Sequence, residues 1–218
     1  MKYLKFIPIF IFTNILLSQD RNVLYEIIND VSSERIKTDV QKLVSFGTRH
    51  TLSDTISNTN GIGAARRWIK SRFEEISKEC NNCLDVDFQK NFYKKNKKRL
   101  VNDVWINNVI AIQKGSKFPN RYVIMSGDID SRVSDPNDFE SESPGANDNA
   151  SGMAGVIEAS RVLCRYKFEN SIIYAGLSGE EQGLYGGIGL AAFAKKNNWD
   201  IIAVLNNDMI GNIEGIDG

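Results

Sequence analysis

Acidic side chains stand where three predicted strands end. Apolar runs that predict buried strands lie within YVIMSGDIDSR, SIIYAGLSGEEQG and IIAVLNNDMIG, and acids follow each of them. A further acid, in the loop PGANDNASG, comes just before a predicted helix. The residues in question are Asp128, Asp130, Asp148, Glu180, Glu181 and Asp208. Ligands of an open parallel sheet bind beyond the carboxyl ends of its strands, so we expect these side chains to converge there.

Taken alone, each of these acids would favour a structural interpretation, because acids at the start of a loop often cap a helix or face solvent. Their joint placement at three successive strand ends reverses that preference. Several carboxylates in one crevice repel each other and lose solvation, and a multivalent cation relieves both costs. The pattern therefore predicts a metal site.

The adjacent pair Glu180 and Glu181 indicates a division of roles. Neighbouring side chains just past a strand point in different directions, so one carboxylate can bind a metal ion while the other faces the substrate and handles protons. Gly179 and Gly183 permit the tight turn that such a loop needs.

The elements that must position these acids alternate between strand and helix. They are predicted at Tyr122–Met125 (strand), about 151–166 (helix), Ile172–Leu177 (strand), Leu184–Lys196 (helix) and Ile201–Leu205 (strand). Short, continuously apolar strands are typical of a parallel sheet buried on both faces, and the helices are long enough for right-handed crossovers. This order indicates an open α/β sheet, in which we expect the last strand to be central.

The N-terminal half adds two helices and a hairpin. Helical spacing of apolar residues predicts helices between Ser32 and Phe46 and over Ala64–Ile76, and the runs Val86–Tyr93 and Val101–Ile112 predict two paired strands. The lysine-rich turn between those strands favours a solvated hairpin tip over a ligand-binding patch.

Composition limits the partners and suggests export. The 218 residues include 27 basic and 27 acidic side chains, which disfavours binding to nucleic acid or an anionic membrane, and 42% are hydrophobic, enough for one globular domain. Lys2 and Lys5 precede an apolar run, Phe6–Leu17, that is short for a membrane span. We therefore predict a signal peptide over residues 1–19, one catalytic domain over 20–218, and a secreted or periplasmic location without a membrane anchor after cleavage.

The cysteines do not predict a metal site. Cys80 and Cys83 form a C-x-x-C motif that could close a small disulfide loop, which leaves Cys164 over. A second C-x-x-C motif is absent, and the single histidine, His50, is distant in sequence.

Several segments resemble the co-catalytic zinc aminopeptidases, the family of bacterial leucyl aminopeptidases, aminopeptidase Y, glutamate carboxypeptidase and the glutaminyl-peptide cyclases. The segments are FGTRH at 46–50, NGIGAARRWI at 60–69, PGANDNASG at 144–152, SGEEQGLYGG at 178–187 and NNDMIG at 206–211. The resemblance implies an α/β fold, a three-layer αβα sandwich with a mixed, largely parallel central sheet. It also implies a peptide substrate and hydrolysis at the N-terminal residue.

The resemblance further implies roles for the acids. Asp148 would bridge two zinc ions, Glu181 would bind one of them and Asp208 the other. Glu180 would be the general base that takes a proton from the attacking water. Asp130 matches the family acid that orients a metal-binding histidine.

Two departures from the family pattern bear on these roles. Asp128 stands where the family usually has that histidine, and a carboxylate is a harder ligand, so this site would accept manganese or magnesium more readily. The family's last ligand, a histidine on a later loop, is absent, so we expect the chain to be an N-terminal fragment with a fold incomplete at the C-terminus and little activity of its own. For His50, a structural or rim role is favoured over metal binding. Two alternatives stay open: a glutaminyl-cyclase-like transferase, and a non-catalytic binding relative.

Overall fold

The three-dimensional structure is a computed structural model that describes residues 22–96 and 98–212. The chain divides into a short N-terminal unit, in which residues 22–29 are helical, and a larger unit that begins at Ser33. The predicted signal peptide, residues 1–19, lies outside the described residues. Within the described part, no helix is long and apolar enough to cross a membrane.

A mixed five-stranded sheet forms the centre of the larger unit. Its strands are β1 (Leu84–Tyr93), β2 (Val104–Gln113), β3 (Phe118–Asp128), β4 (Asn170–Leu177) and β5 (Asp200–Asn206). They are arranged in the order β1-β2-β4-β3-β5. β2 pairs antiparallel with β1 and β4, whereas β3 pairs parallel with β4 and β5. The predicted hairpin and the mixed α/β sheet are confirmed, with parallel and antiparallel pairs in equal number among the described strands.

Helices cover both faces of the sheet. They are α1 (Ser33–Val44), α2 (Gly61–Glu79), α3 (Gly152–Leu163) and α4 (Tyr185–Lys196). Val109 and Tyr174 pack with α1, α2 and α3 in one apolar cluster, whereas their strand neighbours Ile110 and Ile173 pack with Leu190 of α4 in another. Because successive side chains of a strand point to opposite faces, the sheet is buried on both sides. The three-layer αβα architecture is confirmed.

Two strands differ from expectation. β3 continues to Asp128 rather than ending at Met125, so that acid belongs to the strand itself. The last strand, β5, also differs in position: we expect it to be central in a longer protein, whereas among the described residues it pairs only with β3 and lies at the edge. Val204 and Leu205, which point to opposite faces of the sheet, are more than half exposed.

The three cysteines lie close together in the structure. Cys80 and Cys83 form a disulfide that spans the end of α2 and the start of β1, with a Cα–Cα distance of 5.7 Å. Cys164, at the end of α3, is buried and free, and its sulfur lies within 4.8 Å of both others. The residue that the sequence left unassigned is thus a neighbour of the disulfide.

Candidate metal centre

The carboxyl ends of β4, β3 and β5 lie side by side, because these strands are neighbours and run parallel. Asp128 is the last residue of β3, and in the register of the sheet it is paired with Leu177, the last residue of β4. Glu180 and Asp208 lie in the loops that follow β4 and β5. The structure therefore brings the strand-end acids to one edge, as the sequence predicts.

A cavity of about 510 Å³ opens at this edge of the sheet. Asp128, Glu180 and Asp208 line it together with apolar side chains that include Leu177 and Ile188. Its volume lies within the range of small-ligand sites in proteins. The arrangement is a pocket in which an apolar wall faces a group of carboxylates.

Burial and the mutual repulsion of negative charges raise the pKa values of acids in this pocket. The pKa of Asp128 is raised to about 8, first by burial and then by the negative charges of Asp130 and Glu180. The pKa of Glu180 is raised to about 7, first by burial and then by the charges of Asp130 and Glu181. Both carboxyl groups therefore hold protons readily near neutral pH, and a bound cation would remove this preference.

Asp148 and Glu181 lie close enough to the other acids to interact with them electrostatically. Burial raises the pKa of Asp148, and the charge of Asp208 raises it further. Burial also raises the pKa of Glu181, while Arg132 opposes this rise because its Nε forms an ion pair with Glu181 Oε2. A metal ion at Glu181 would have to displace this arginine or share the carboxylate with it.

Asp130 holds the loop that carries the two glutamates. Its side chain is 1% exposed, and its Oδ1 accepts hydrogen bonds from the backbone N–H groups of Gly179 (2.9 Å) and Glu180 (3.2 Å). Its Oδ2 accepts from the Glu181 N–H (3.2 Å) and from Thr51 Oγ1 (2.8 Å). Asp130, which matches the histidine-orienting acid of the family, therefore has a different role in this chain. It fixes the backbone of the loop that carries Glu180 and Glu181.

Asn149 connects the loops around the pocket. Its Nδ2 donates to Asp128 Oδ2 (3.3 Å) and to the carbonyl oxygen of Asn207 (2.9 Å). Its Oδ1 accepts from the N–H of Gly152, where α3 begins. A Cβ atom at Gly152 would lie 2.1 Å from the Asn207 carbonyl oxygen, so only glycine allows this close approach. The peptide bond between Asp148 and Asn149 is cis.

Arg49 fixes the loop that carries Asp148. It is fully buried, and its guanidinium donates to four backbone carbonyl oxygens: those of Leu43 (3.1 Å), Ile129 (2.8 Å), Pro144 (2.6 Å) and Gly145 (2.9 Å). The sequence placed Arg49 in a family-like segment but assigned it no role. Three of these partners lie 80 or more positions away in the sequence, where no local pattern marks them.

His50 lies outside the carboxylate cluster. It is fully buried, its Nδ1 accepts the N–H of Leu52 at 3.0 Å, and its Nε2 lies 3.0 Å from the carbonyl oxygen of Pro136. Both ring nitrogens thus have protein partners, which supports the predicted structural role.

The described basic residues of the hairpin tip are exposed, as the sequence predicts, and one of them also contacts the candidate site. Lys94, Lys95 and Lys98 are exposed as expected. Arg99, however, donates from Nη1 to the carbonyl oxygen of Glu181 at 2.6 Å. One residue of the basic turn therefore contacts the loop of the candidate site.

The donor set fits a divalent cation, although the carboxylates are not closed around one point. Among the described residues, the only group of three or more potential ligands whose donor atoms all lie within 4.8 Å of one another is Cys80, Cys83 and Cys164, two of which form the disulfide. Carboxylate oxygens bind zinc, manganese and magnesium. The raised pKa values of Asp128 and Glu180 indicate that no nearby cation of the protein balances the negative charge of their ionised forms.

The fold and the carboxylate cluster together define an αβα protein with a candidate metal centre at the carboxyl ends of its parallel strands. Comparison with known families is more specific. Residues 108–216 match the model of peptidase family M28, and the chain belongs to that family.

Individual relatives agree with this assignment. A probable zinc metalloprotease from Pyrenophora tritici-repentis is 39% identical over 196 residues, which cover 89% of this chain and 45% of that protein. The solved LapA aminopeptidase of Legionella pneumophila has a TM-score of 0.66 at 19% identity, and covers 86% of this chain and 44% of its own. A glutaminyl cyclase from Bacteroides thetaiotaomicron has a TM-score of 0.64 at 16% identity, over 85% and 64% of the two chains. The chain thus spans less than half the length of the first of these relatives, and the two solved structures show that the fold is shared.

Proposed function

We propose that this chain carries the N-terminal part of the active site of a secreted metal-dependent exopeptidase, an aminopeptidase that hydrolyses the N-terminal residue of a peptide. The family assignment supports a peptidase. One observation carries the proposal: Glu180, with a pKa raised to about 7, shares one cavity with the candidate metal ligands Asp128 and Asp208. A carboxylate with such a pKa is suited to exchange protons near neutral pH.

The candidate ligands are the carboxylates of Asp128, Asp148, Glu181 and Asp208. Zinc is the preferred ion, because a similar protein is described as a probable zinc metalloprotease. Two ions are expected in the whole protein, and the Asp128 site would also accept manganese or magnesium. Bound there, zinc would lower the pKa of a water molecule and polarise the scissile carbonyl group.

The chain's own residues then divide the remaining work. Glu180 accepts a proton from the attacking water and donates it to the departing amine. Asp130 does not touch the reacting atoms; it is a positioning residue that holds the backbone of Glu180 and Glu181 through three N–H groups. Leu177 and Ile188 supply an apolar wall on one side of the pocket, against which an apolar part of the substrate can pack.

A glutaminyl-cyclase-like transferase is the second candidate, supported by the shared fold with a bacterial glutaminyl cyclase. A non-catalytic binding relative is the third, and the ion pair between Arg132 and Glu181 favours it, because it occupies a candidate ligand. The two enzymatic functions give different products: a free amino acid from an aminoacyl amide, or ammonia and a pyroglutamyl peptide from a peptide with N-terminal glutamine.

The experiment uses the whole protein, loaded with zinc, on a panel of aminoacyl amides and on a glutamine peptide. Release of free amino acids supports the aminopeptidase, formation of the pyroglutamyl peptide and ammonia alone supports the cyclase, and the absence of both products supports the binding protein. Glu180→Gln should lower kcat at least about a hundredfold with the metal content unchanged, as expected when a proton carrier is lost but the ligands remain. Glu142→Gln makes the same change on an exposed side chain and should leave kcat unaltered. Loss of metal in Glu180→Gln would contradict the assigned role.

A further inference from the structure

A second cavity, of about 430 Å³, lies between α2 and the β1–β2 hairpin. It shares no lining residue with the carboxylate pocket. Its walls include the side chains of Arg66, Phe88, Trp105 and Asn107. The proposed peptidase reaction uses none of these residues.

Arg66 is a buried cation without a matching anion. Its side chain belongs to α2 and is 4% exposed, and its Nε donates to Ser178 Oγ at 3.1 Å. Its Nη2 is buried and has no hydrogen-bond partner among the described residues. No carboxylate oxygen of those residues lies within 4.0 Å of the guanidinium nitrogens, so Arg66 forms no ion pair with them. Burial lowers the pKa of Arg66 to about 10, against the opposing influence of Asp130. Because an unpaired buried charge is costly, this guanidinium favours an anion beside it.

The neighbouring Arg67 shows the contrast. It lies on the same helix and lines the same cavity, but its Nη1 donates to the carbonyl oxygen of Thr55 at 2.8 Å and its Nη2 to that of Ile56 at 3.2 Å. Its hydrogen-bonding capacity is therefore largely used by the protein. Of the two arginines that line the cavity, Arg66 is the one with an unused buried donor.

A second unused polar atom lines the same cavity. Asn107 Oδ1 is buried and has no partner among the described residues. An amide side chain can present either its oxygen or its NH₂ group, so Asn107 offers a further hydrogen bond to a polar ligand. Two unsatisfied side chains in one cavity are unusual, since buried polar groups in proteins are nearly always paired.

The other residues that line the cavity indicate which apolar group and which net charge a ligand should have. Phe88 and Trp105 supply aromatic surface, and Trp105 is 57% exposed, so one end of the cavity is open and apolar. Two arginines and Asp103 line the cavity, which leaves one net positive charge and favours a monoanion over a phosphate dianion. A guanidinium binds a carboxylate through paired hydrogen bonds.

We propose that this cavity is a binding site for a small monoanionic carboxylate attached to an apolar or aromatic body, with the carboxylate on Arg66 and the body against Phe88 and Trp105. The C-terminal end of a peptide and a free organic acid share this chemistry, and a free amino acid carries the same carboxylate with an added ammonium group. The site is separate from the proposed catalytic pocket, and its occupancy does not depend on peptidase activity.

The test measures binding to the full-length chain at constant ionic strength, by calorimetry and by the thermal midpoint. Phenylacetate is the principal probe, phenylacetamide is its neutral counterpart, and acetate lacks the ring. Saturable binding of phenylacetate at least tenfold tighter than that of either control is expected. N-acetylphenylalanine and free phenylalanine then distinguish a peptide C-terminus from an amino acid as the source. Equal binding of phenylacetate and phenylacetamide, or a shift that follows only ionic strength, would overturn the proposal.

Variants locate the site. Arg66→Met should weaken phenylacetate binding at least tenfold, while Arg121→Met, an exposed arginine on β3, should change it less than twofold. Trp105→Ala removes an exposed ring and should weaken binding at least threefold, so the site stays testable if Arg66→Met fails to fold. Unchanged affinity in Trp105→Ala, or in a folded Arg66→Met, would show that the carboxylate binds elsewhere or not at all.

Discussion

Replacement of Asp128 by asparagine should stabilise the metal-free chain at neutral pH. The carboxyl group is 6% exposed, and its pKa is raised to about 8 by burial and by the charges of Asp130 and Glu180. Asparagine has nearly the same shape and can still accept the hydrogen bond that Asn149 donates at 3.3 Å. It therefore resembles the protonated acid without the cost of proton uptake or of a buried charge.

The magnitude follows from the two pKa values. In the unfolded chain an aspartate has a pKa near 3.9, which is about three units below pH 7. Protonation of Asp128 on folding at pH 7 therefore costs about 4 kcal/mol, at roughly 1.36 kcal/mol per unit. Local relaxation and water entry make this an upper limit. Between about pH 4 and pH 8 the native state binds more protons than the unfolded state, so wild-type stability falls as the pH rises. Below pH 4 both states are protonated, and wild type and Asp128→Asn should be equally stable.

The assay is urea unfolding of both chains after removal of metal by a chelator, at several values between pH 4 and pH 8. Asp85→Asn is the matched control, since it makes the same charge change at an exposed position of β1. Added zinc should reverse the order, because Asp128→Asn loses a ligand. Equal unfolding free energies of wild type and Asp128→Asn at pH 7, or an equal gain in Asp85→Asn, would refute the reasoning.

Four further predictions follow from particular contacts. Asp130→Asn replaces one of the two accepting oxygens by an NH₂ group, so at least one of three backbone N–H groups loses its acceptor. We expect a loss of about 1–3 kcal/mol in unfolding free energy and a lower kcat. An unchanged unfolding free energy would contradict the positioning role. Asp208→Ala in the whole protein should release metal together with activity, and full metal content by elemental analysis would remove it from the ligand set. Cys83→Ser opens a disulfide loop of about four residues and should cost about 2 kcal/mol in denaturant unfolding; no loss would show that the bridge contributes nothing. The exported protein should begin near Asp20 by N-terminal sequencing, and an intact N-terminus would refute cleavage.

The sequence by itself determined the layered fold and the edge at which the acids meet. Apolar runs such as Ile172–Leu177 mark strands buried on both faces, and helical spacing marks the helices between them. These signals are local, because each depends on side chains within a few positions of one another. Parallel neighbours then bring Asp128 and Glu180 to one edge by topology alone.

Only the tertiary structure decided how that edge is held together. Asp130 fixes the glutamate loop, Arg49 fixes the loop of Asp148, and Asn149 joins that loop to the segment after β5. These three contacts reach backbone groups from about 50 to about 100 positions away, and every residue carries such groups, so no motif marks the partner. The same reason applies to Cys164 beside the disulfide and to Arg66: the sequence shows the residue type, but burial and an unfilled partner exist only after the chain has folded.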